Sequence, residues 1–264
     1  MTTTETASKK SASPNFARNL FVLVRRNFVA SLDREFLVIQ LVLPLFFIFV
    51  AGFGYTLIVP GVEGVSYETF LATGAVAMTV MSSSMLSGTM IWFDRNFGMF
   101  EQILMGPFTR LQYVLSVALS VVLTGLASAL IVFIVSLIVS AGVIISAASI
   151  LQLLAALILG SLFFGGFGIF ISLRVKSSEA LAATMNLTFF IFTFLSSVFY
   201  PSRSSFLFLR VIFEINPLTY VADLIRNGLL GLQGFSLPLE VILLIVESAA
   251  MVFFATRSIN RIEV

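Results

Sequence analysis

Long apolar runs without a charged residue constrain this chain more than any other feature. No charged residue occurs between Arg110 and Arg174. An uncharged apolar run of about 18 residues or more is typical of a helix that crosses a bilayer. The composition agrees, because 59% of the residues are hydrophobic and only 11% are charged, whereas soluble domains average about 25% charged residues. The chain is therefore predicted to be an all-α integral membrane protein.

The spacing of the apolar runs predicts six transmembrane helices. Each crossing requires about 20 residues, so 264 residues accommodate six spans but no second large soluble domain. Residues 1–14, rich in Thr, Ser and Lys, are predicted to be a disordered cytosolic tail. Residues 15–36, with apolar side chains at every fourth position from Phe16 to Leu32, are predicted to form an amphipathic interfacial helix. Residues 37–264 form the six-helix domain, with spans at 37–59, 70–92, 113–140, 149–173, 180–200 and 237–256.

The distribution of lysine and arginine predicts that both termini lie in the cytosol. Cytosolic segments of membrane proteins are enriched in these residues. Twelve of them lie in the first 36 residues, in the connections after spans two and four, and at the C-terminal end, whereas the opposite connections hold three. The expected location is the cell membrane, with multiple passes. The net charge of +2 thus reflects topology and does not indicate a nucleic-acid partner.

Two connections contain predicted helices of their own. The cytosolic connection after span two is predicted to form one amphipathic helix that ends at Gly106-Pro107. Its apolar face comprises Phe93, Phe97, Phe100 and Leu104, and its charged side chains are expected to face the cytosol. The external connection, 201–236, holds two apolar stretches, 206–215 and 218–230. Each is too short to cross the bilayer and is expected to dip in and return.

This organisation resembles the membrane subunit of type-2 ATP-binding-cassette (ABC) exporters, as found among bacterial and archaeal drug and polysaccharide exporters. The resemblance extends over nearly the whole chain. It rests on the basic interfacial helix, on the cytosolic segment from Arg95 to Leu104, and on a run before the last span that is the most specific feature. That run is Asn216-Pro217-Leu218-Thr219-Tyr220, in which Asn216, Pro217 and Tyr220 are the candidate family residues.

The resemblance implies a half-transporter that pairs with a second permease copy, identical or related, and works with a separate ATP-binding ABC subunit. In that family the segment between spans two and three is the coupling helix that contacts the ATPase. This assigns coupling here to Arg95, Gly98, Glu101 and Gln102. From its residues alone the segment fits an ordinary amphipathic surface helix equally well. The short external connections offer no docking domain for a solute-binding protein, which favours export.

No catalytic or metal site is predicted on this chain. It contains neither histidine nor cysteine, so the common metal sites and the Ser-His-Asp or Cys-His sets cannot be built. It also lacks a G-x-x-x-x-G-K-[ST] phosphate loop, and its lysines are Lys9, Lys10 and Lys176. The chain is therefore expected to be a transport subunit without a cofactor or ATPase site of its own. ATP and magnesium are expected on the partner subunit.

Glu247 lies near the middle of the last predicted span, where an acidic side chain costs about 2.5 to 3.5 kcal/mol. As a candidate intramembrane polar site, it is either a proton relay or substrate contact, or a packed carboxyl. Packing is favoured, because uncharged partners are available within the bundle, namely Ser82, Ser83, Ser84 and Asn186. A relay would make the chain an ion-gradient-driven secondary transporter, although the spans show no inverted repeat. A non-transporting membrane scaffold is a third hypothesis.

The remaining features are assigned structural roles. The pairs Asp223–Arg226 and Arg210–Glu214 have the spacing of ion pairs along a helix and are expected to stabilise the external surface. Glu240 is expected to reach water at the external end of the last span. Small residues four apart, such as Ser161 and Gly165, are assigned to close helix packing.

Overall fold

The structure, a computed structural model, describes residues 15–59, 61–140, 142–202 and 206–260. These residues form helices and connections without a β-strand among them, which confirms the all-α prediction. The predicted disordered tail, 1–14, lies outside the described residues. The helices are α1 (Phe16–Ser31), α2 (Arg34–Phe46), α3 (Phe53–Thr56), α4 (Tyr67–Gly88), α5 (Met90–Asn96), α6 (Met99–Met105), α7 (Arg110–Val139), α8 (Ala147–Ser172), α9 (Ser178–Phe194), α10 (Leu207–Ile215), α11 (Pro217–Leu230) and α12 (Leu237–Asn260), with a π-helical segment, Phe47–Gly52, between α2 and α3.

Four helical stretches in the described part of the chain are long and apolar enough to cross a membrane. They are Tyr67–Asn96, Arg110–Val139, Ala147–Ser172 and Leu237–Ile259. The first of these joins α4 and α5 into one stretch of 30 residues. Two further apolar helices, Gln40–Thr56 and Ser178–Phe194, are shorter. They correspond to the first and fifth predicted spans, so the count of six stays a prediction.

Helix α4 forms the centre of the bundle. It packs against α7, α8 and α11, and nearly all of its side chains are buried. Several of its hydroxyl groups bond within their own helix, as Ser83 does by donating to the carbonyl of Thr79 at 2.6 Å. A Cβ atom on Gly88 would lie 2.4 Å from the carbonyl oxygen of Gly165, so α4 and α8 meet backbone to backbone. The packing role predicted for the small residues is confirmed within one chain.

The predicted interfacial helix, 15–36, is divided between two helices. Helix α1 ends at Ser31, and α2 begins at Arg34. The buried stripe of α1 is formed by Leu23, Asn27 and Ser31, whereas the predicted apolar row from Phe16 to Leu32 is only half-buried. Hydrogen bonds explain why this face is buried. Asn27 donates to Ser116 Oγ at 3.4 Å, and the hydroxyls of Ser31 and Ser87 are 3.2 Å apart. These bonds turn a different face of α1 toward α7 and the end of α4.

Candidate coupling segment and buried polar networks

The predicted coupling helix is in fact two short helices, α5 and α6. Gly98 separates them with a φ of 72°, a left-handed conformation that glycine adopts readily and other residues rarely do. The turn divides the predicted apolar face. Phe100 is buried against Tyr113, with ring centroids 5.0 Å apart, whereas Phe93 and Phe97 stack on each other and are exposed. The prediction of one continuous amphipathic helix is therefore wrong.

Arg95 points into the protein, so the prediction that it faces the cytosol is wrong. Its Nη1 donates to the carbonyl of Leu173 at 3.2 Å and its Nη2 to that of Val175 at 3.5 Å. Trp92 Nε1 donates to the same Val175 carbonyl at 3.1 Å. The last carbonyls of a helix have no partner within that helix, so these two side chains of α5 supply donors at the end of α8. Arg95 thereby fixes α5 to the α8–α9 connection.

An ion pair fixes α5 to α1 and α7 as well. Arg26 Nη2 donates to Asp94 Oδ2, and the hydroxyl of Tyr113 donates to the same oxygen at 2.9 Å. The Asp94 side chain is 13% exposed, so solvent screens this pair less than it screens a surface pair. Sequence reasoning missed this cluster, because its three members come from elements that are distant in the chain.

Helix α6 presents the accessible surface of the segment. Glu101 and Gln102 are exposed, and Met105 is 78% exposed. Beneath them, Phe100 and Ile103 are buried and anchor the helix. Helix α6 ends before Gly106-Pro107, as predicted, and a capping box between Thr109 and Gln112 begins α7. Of the four predicted coupling residues, Glu101 and Gln102 are accessible, Gly98 forms the turn and Arg95 positions the segment.

The motif at Asn216 joins α9 to α11. Asn216 Oδ1 accepts a hydrogen bond from the backbone N–H of Leu218 at 3.0 Å and so caps α11, whose first residue is Pro217. The Asn216 side chain also donates to the carbonyls of Phe192 at 2.8 Å and Leu195 at 2.6 Å. These bonds occur where α9 ends, at Phe194, several residues before the end of the predicted span 180–200.

Tyr220 completes this junction from the first turns of α11. Its ring is buried, and its hydroxyl donates to the carbonyl of Glu214 at the end of α10. The pKa of Tyr220 is raised to about 12, mainly because the phenol is buried. The phenol therefore stays protonated at neutral pH and acts as a hydrogen-bond donor. Asn216, Pro217 and Tyr220 thus hold α9, α10 and α11 together.

Asp223 and Arg226 form a buried ion pair, so the predicted surface role is wrong. The two side chains are each 3% exposed and approach to 3.5 Å. Arg226 also donates to three carbonyls, those of Ser197 at 2.6 Å, Val198 at 2.7 Å and Phe70 at 3.3 Å. Residues 196–199 lie beyond the end of α9 and are buried, and buried carbonyls require donors. Burial raises the pKa of the Asp223 carboxyl, and the Arg226 charge opposes that shift.

Two further predictions about external charges have different outcomes. Arg210 and Glu214 form an exposed pair at 3.2 Å along α10, which confirms the predicted surface pair. Glu240 is 1% exposed and accepts a hydrogen bond from the backbone N–H of Phe235 at 2.6 Å. The predicted contact of Glu240 with water is therefore wrong, because its carboxylate folds back over the start of α12.

Glu247 is half-buried in α12. Its Oε2 atom is buried and makes no hydrogen bond within the described residues. None of the predicted partners bonds to it: Ser82 and Ser83 bond to Thr79 on their own helix, Ser84 Oγ has no partner in the described part of the chain, and Asn186 is exposed. The structure thus shows no hydrogen bond between Glu247 and these side chains in the described part of the chain, and the role of Glu247 stays a prediction.

Family comparison agrees with this organisation. The family model described as ABC-2 type transporter matches residues 18–230. The match begins in α1 and ends with α11, so it includes the coupling segment and the Asn216 junction. No curated protein matches the sequence. Because the family match covers most of the chain and the helices are apolar and long enough to span a bilayer, the chain belongs to the ABC-2 type transporter family and is a multi-pass membrane permease.

Proposed function

We propose that this chain is the permease subunit of an ABC exporter. It moves substrate outward across the cell membrane, with energy from ATP that a separate ATP-binding subunit hydrolyses with magnesium. Two permease copies, or this chain and a related one, form the path between them, each with six spans and cytosolic termini. The observation that carries the proposal is the α5–α6 segment, an exposed surface that is fixed to three other parts of a chain of the ABC-2 family.

The contacts of α5 provide a mechanical route from the ATPase to the spans. Helix α5 continues α4, since residues 67–96 form one helical stretch, and α4 is buried at the bundle centre. Arg95 links α5 to the α8–α9 connection, while Asp94 links it to α1 and α7. Packed helices move as units with little internal deformation. A push on α6 would therefore move α1, α4, α7 and α8 together.

Co-purification from the native membrane tests the proposal. We expect an ATP-binding protein to co-purify with the tagged chain, and Glu101→Arg to lower its retention or its ATP turnover. Glu101 is exposed on α6, so the change alters the proposed contact surface without disturbing the core. Glu35→Arg is the matched control, because it reverses an exposed charge in the first turn of α2 and should leave both properties unchanged. Wild-type protein without an ATP-binding partner, from extracts that preserve other complexes, would contradict the proposal.

The unpartnered oxygen of Glu247 supports a second candidate, an ion-gradient-driven carrier. A half-buried carboxylate with a free oxygen is the kind of group that proton-coupled carriers use within the membrane. Substrate flux measured with and without ATP separates the candidates. Flux without ATP that Glu247→Gln abolishes would favour the carrier, whereas ATP-dependent flux that this change leaves intact would exclude a relay at Glu247.

A further inference from the structure

A large cavity lies between α10, α11 and the first turns of α12. Its volume is about 1150 Å³. Its lining combines charged side chains, Arg210, Glu214 and Glu240, with apolar ones that include Leu239 and Leu243. The volume exceeds the roughly 300 to 1,000 Å³ of typical small-molecule sites. It is large enough for an amphiphile with a polar head and part of an apolar tail.

The cavity lies at the end of a candidate span, away from the coupling segment. The other end of α12, around Ala255 and Ile259, packs with Phe100 of α6, so its first turns lie at the opposite end of the bundle. Helix α10 exposes several large apolar side chains, among them Leu207 at 79% and Phe208 at 75%. Such an apolar face beside a charged one is typical of a helix at the lipid interface. With α12 as a span, its first turns and the cavity beside them would lie at the boundary between hydrocarbon and headgroups.

Opposite charges lie at the rim of this cavity. The Arg210 and Glu214 side chains are 51% and 45% exposed, and an exposed pair of this kind contributes about 0 to 1 kcal/mol. Each member can therefore exchange its partner for a charged ligand group at little cost. Glu240 also lines the wall, but it is 1% exposed and bonds to the backbone N–H of Phe235, so Glu214 is the accessible carboxylate. The cavity thus presents one cation and one accessible carboxylate beside apolar side chains.

From this arrangement we infer that the cavity binds a zwitterionic phospholipid from the outer leaflet. Its phosphate accepts hydrogen bonds from the Arg210 guanidinium, a planar group suited to bidentate phosphate binding. Its ammonium donates to the Glu214 carboxylate, and its acyl chains lie along Leu239 and Leu243. An anionic lipid without an ammonium group would leave the Glu214 carboxylate facing the lipid's own negative charge. The inference rests on the proposed orientation with cytosolic termini, but it depends neither on the direction of transport nor on the ATP-binding partner.

Native mass spectrometry of the purified, delipidated chain tests this inference. The probes are short-chain phosphatidylethanolamine and phosphatidylglycerol with identical acyl chains. We expect one phosphatidylethanolamine per chain, bound more tightly than phosphatidylglycerol. Arg210→Gln should weaken both lipids about tenfold, whereas Glu214→Gln should weaken phosphatidylethanolamine alone by a similar factor, since each removes one charge-assisted contact. Arg257→Gln, at an exposed position near the other end of α12, is the control and should bind both lipids as the wild type does.

A variant that fills the cavity supplies an independent readout. Ser236 lines the cavity and is exposed, so Ser236→Trp should occupy the space and abolish phosphatidylethanolamine binding without changing any charge. Thermal unfolding verifies that each variant is folded. Equal phosphatidylethanolamine binding by wild type, Glu214→Gln and Ser236→Trp would overturn the inference. Tighter binding of phosphatidylglycerol would overturn it as well.

Discussion

Replacing Arg226 with methionine would remove both a buried charge and the donor to three backbone carbonyls. The carbonyls belong to Phe70, Ser197 and Val198, and the partner charge is that of Asp223, with both side chains 3% exposed. Removing one member of a buried pair costs about 3 to 5 kcal/mol. In a chain of this size, each 1 kcal/mol lowers the melting temperature by about 2 to 4 °C. We expect Arg226→Met to melt about 10 °C below the wild type.

This loss should depend on pH, because Asp223 would be left as an unpaired buried carboxyl. Burial already raises the pKa of Asp223, and the Arg226 charge that lowers it would be gone. When the folded-state pKa lies above the unfolded value, the folded state binds more protons, so stability falls as pH rises through that interval. The free-energy cost of holding this buried carboxyl protonated therefore decreases as the pH is lowered from 7 to 5. The variant should therefore melt closer to the wild type at pH 5.

Thermal unfolding of the detergent-solubilised protein at both pH values measures the effect. Adding Asp223→Asn to Arg226→Met removes the lone carboxyl, so the double variant should be more stable than Arg226→Met at pH 7 and should lose the pH dependence. Arg210→Met, which breaks the exposed pair, is the control and should cost at most about 1 kcal/mol. A wild-type melting temperature for Arg226→Met at pH 7, or strictly additive losses in the double variant, would refute the reasoning.

Three further changes test other contacts. Gly88→Ala places a Cβ 2.4 Å from the carbonyl oxygen of Gly165 and should reduce the yield of folded protein on size exclusion. Gly54→Ala is the control, because no atom lies within 4 Å of its Cβ, and it should leave the yield unchanged. Equal yields of the two variants would contradict backbone contact between α4 and α8. Asn216→Ala loses the cap of α11 and two bonds to α9 and should unfold about 2 to 3 kcal/mol more easily in denaturant, with Asn216→Asp in between. Asp94→Asn weakens the link from α5 to α1 and α7. The proposed complex with the ATPase should still assemble, but its substrate-stimulated release of phosphate should be lower. Unchanged phosphate release would show that Asp94 is not part of the mechanical route.

The all-helical class could be predicted because every segment that crosses lipid requires a continuous run of about 20 apolar residues. The backbone groups of such a span must bond within their own helix, so a long uncharged apolar run predicts a helix without any information about distant residues. The predicted end of the fifth span failed for the complementary reason. Helix α9 ends at Phe194, and its last carbonyl groups bond to Asn216, more than 20 residues later. No pattern within residues 180–200 encodes that contact.

The position of the candidate coupling segment in the chain was predictable, but its shape and contacts were not. A glycine inside a helical pattern is a weak signal, and only the structure shows that Gly98 adopts a positive φ. The inward direction of Arg95 depends on open carbonyls at the end of α8, and the role of Asp94 depends on Arg26. The buried positions of Asp223 and Arg226 follow in the same way from a loop whose carbonyls need donors. Charge spacing along one helix does not distinguish this arrangement from a surface pair.

The burial of α4 has a consequence for biosynthesis. Its stretch, Tyr67–Asn96, has a mean hydropathy of 1.4, the lowest of the four candidate spans, and 89% of its most apolar window is buried by other helices. A helix of low hydropathy inserts into a bilayer less favourably by itself, and packing against neighbouring helices then stabilises it there. Helix α7, which follows it in the chain, has a mean hydropathy of 2.7 and inserts readily. A nascent chain that ends before α7 should therefore hold α4 poorly in the membrane, and the centre of the bundle should become stable only after the helices that surround it have been made.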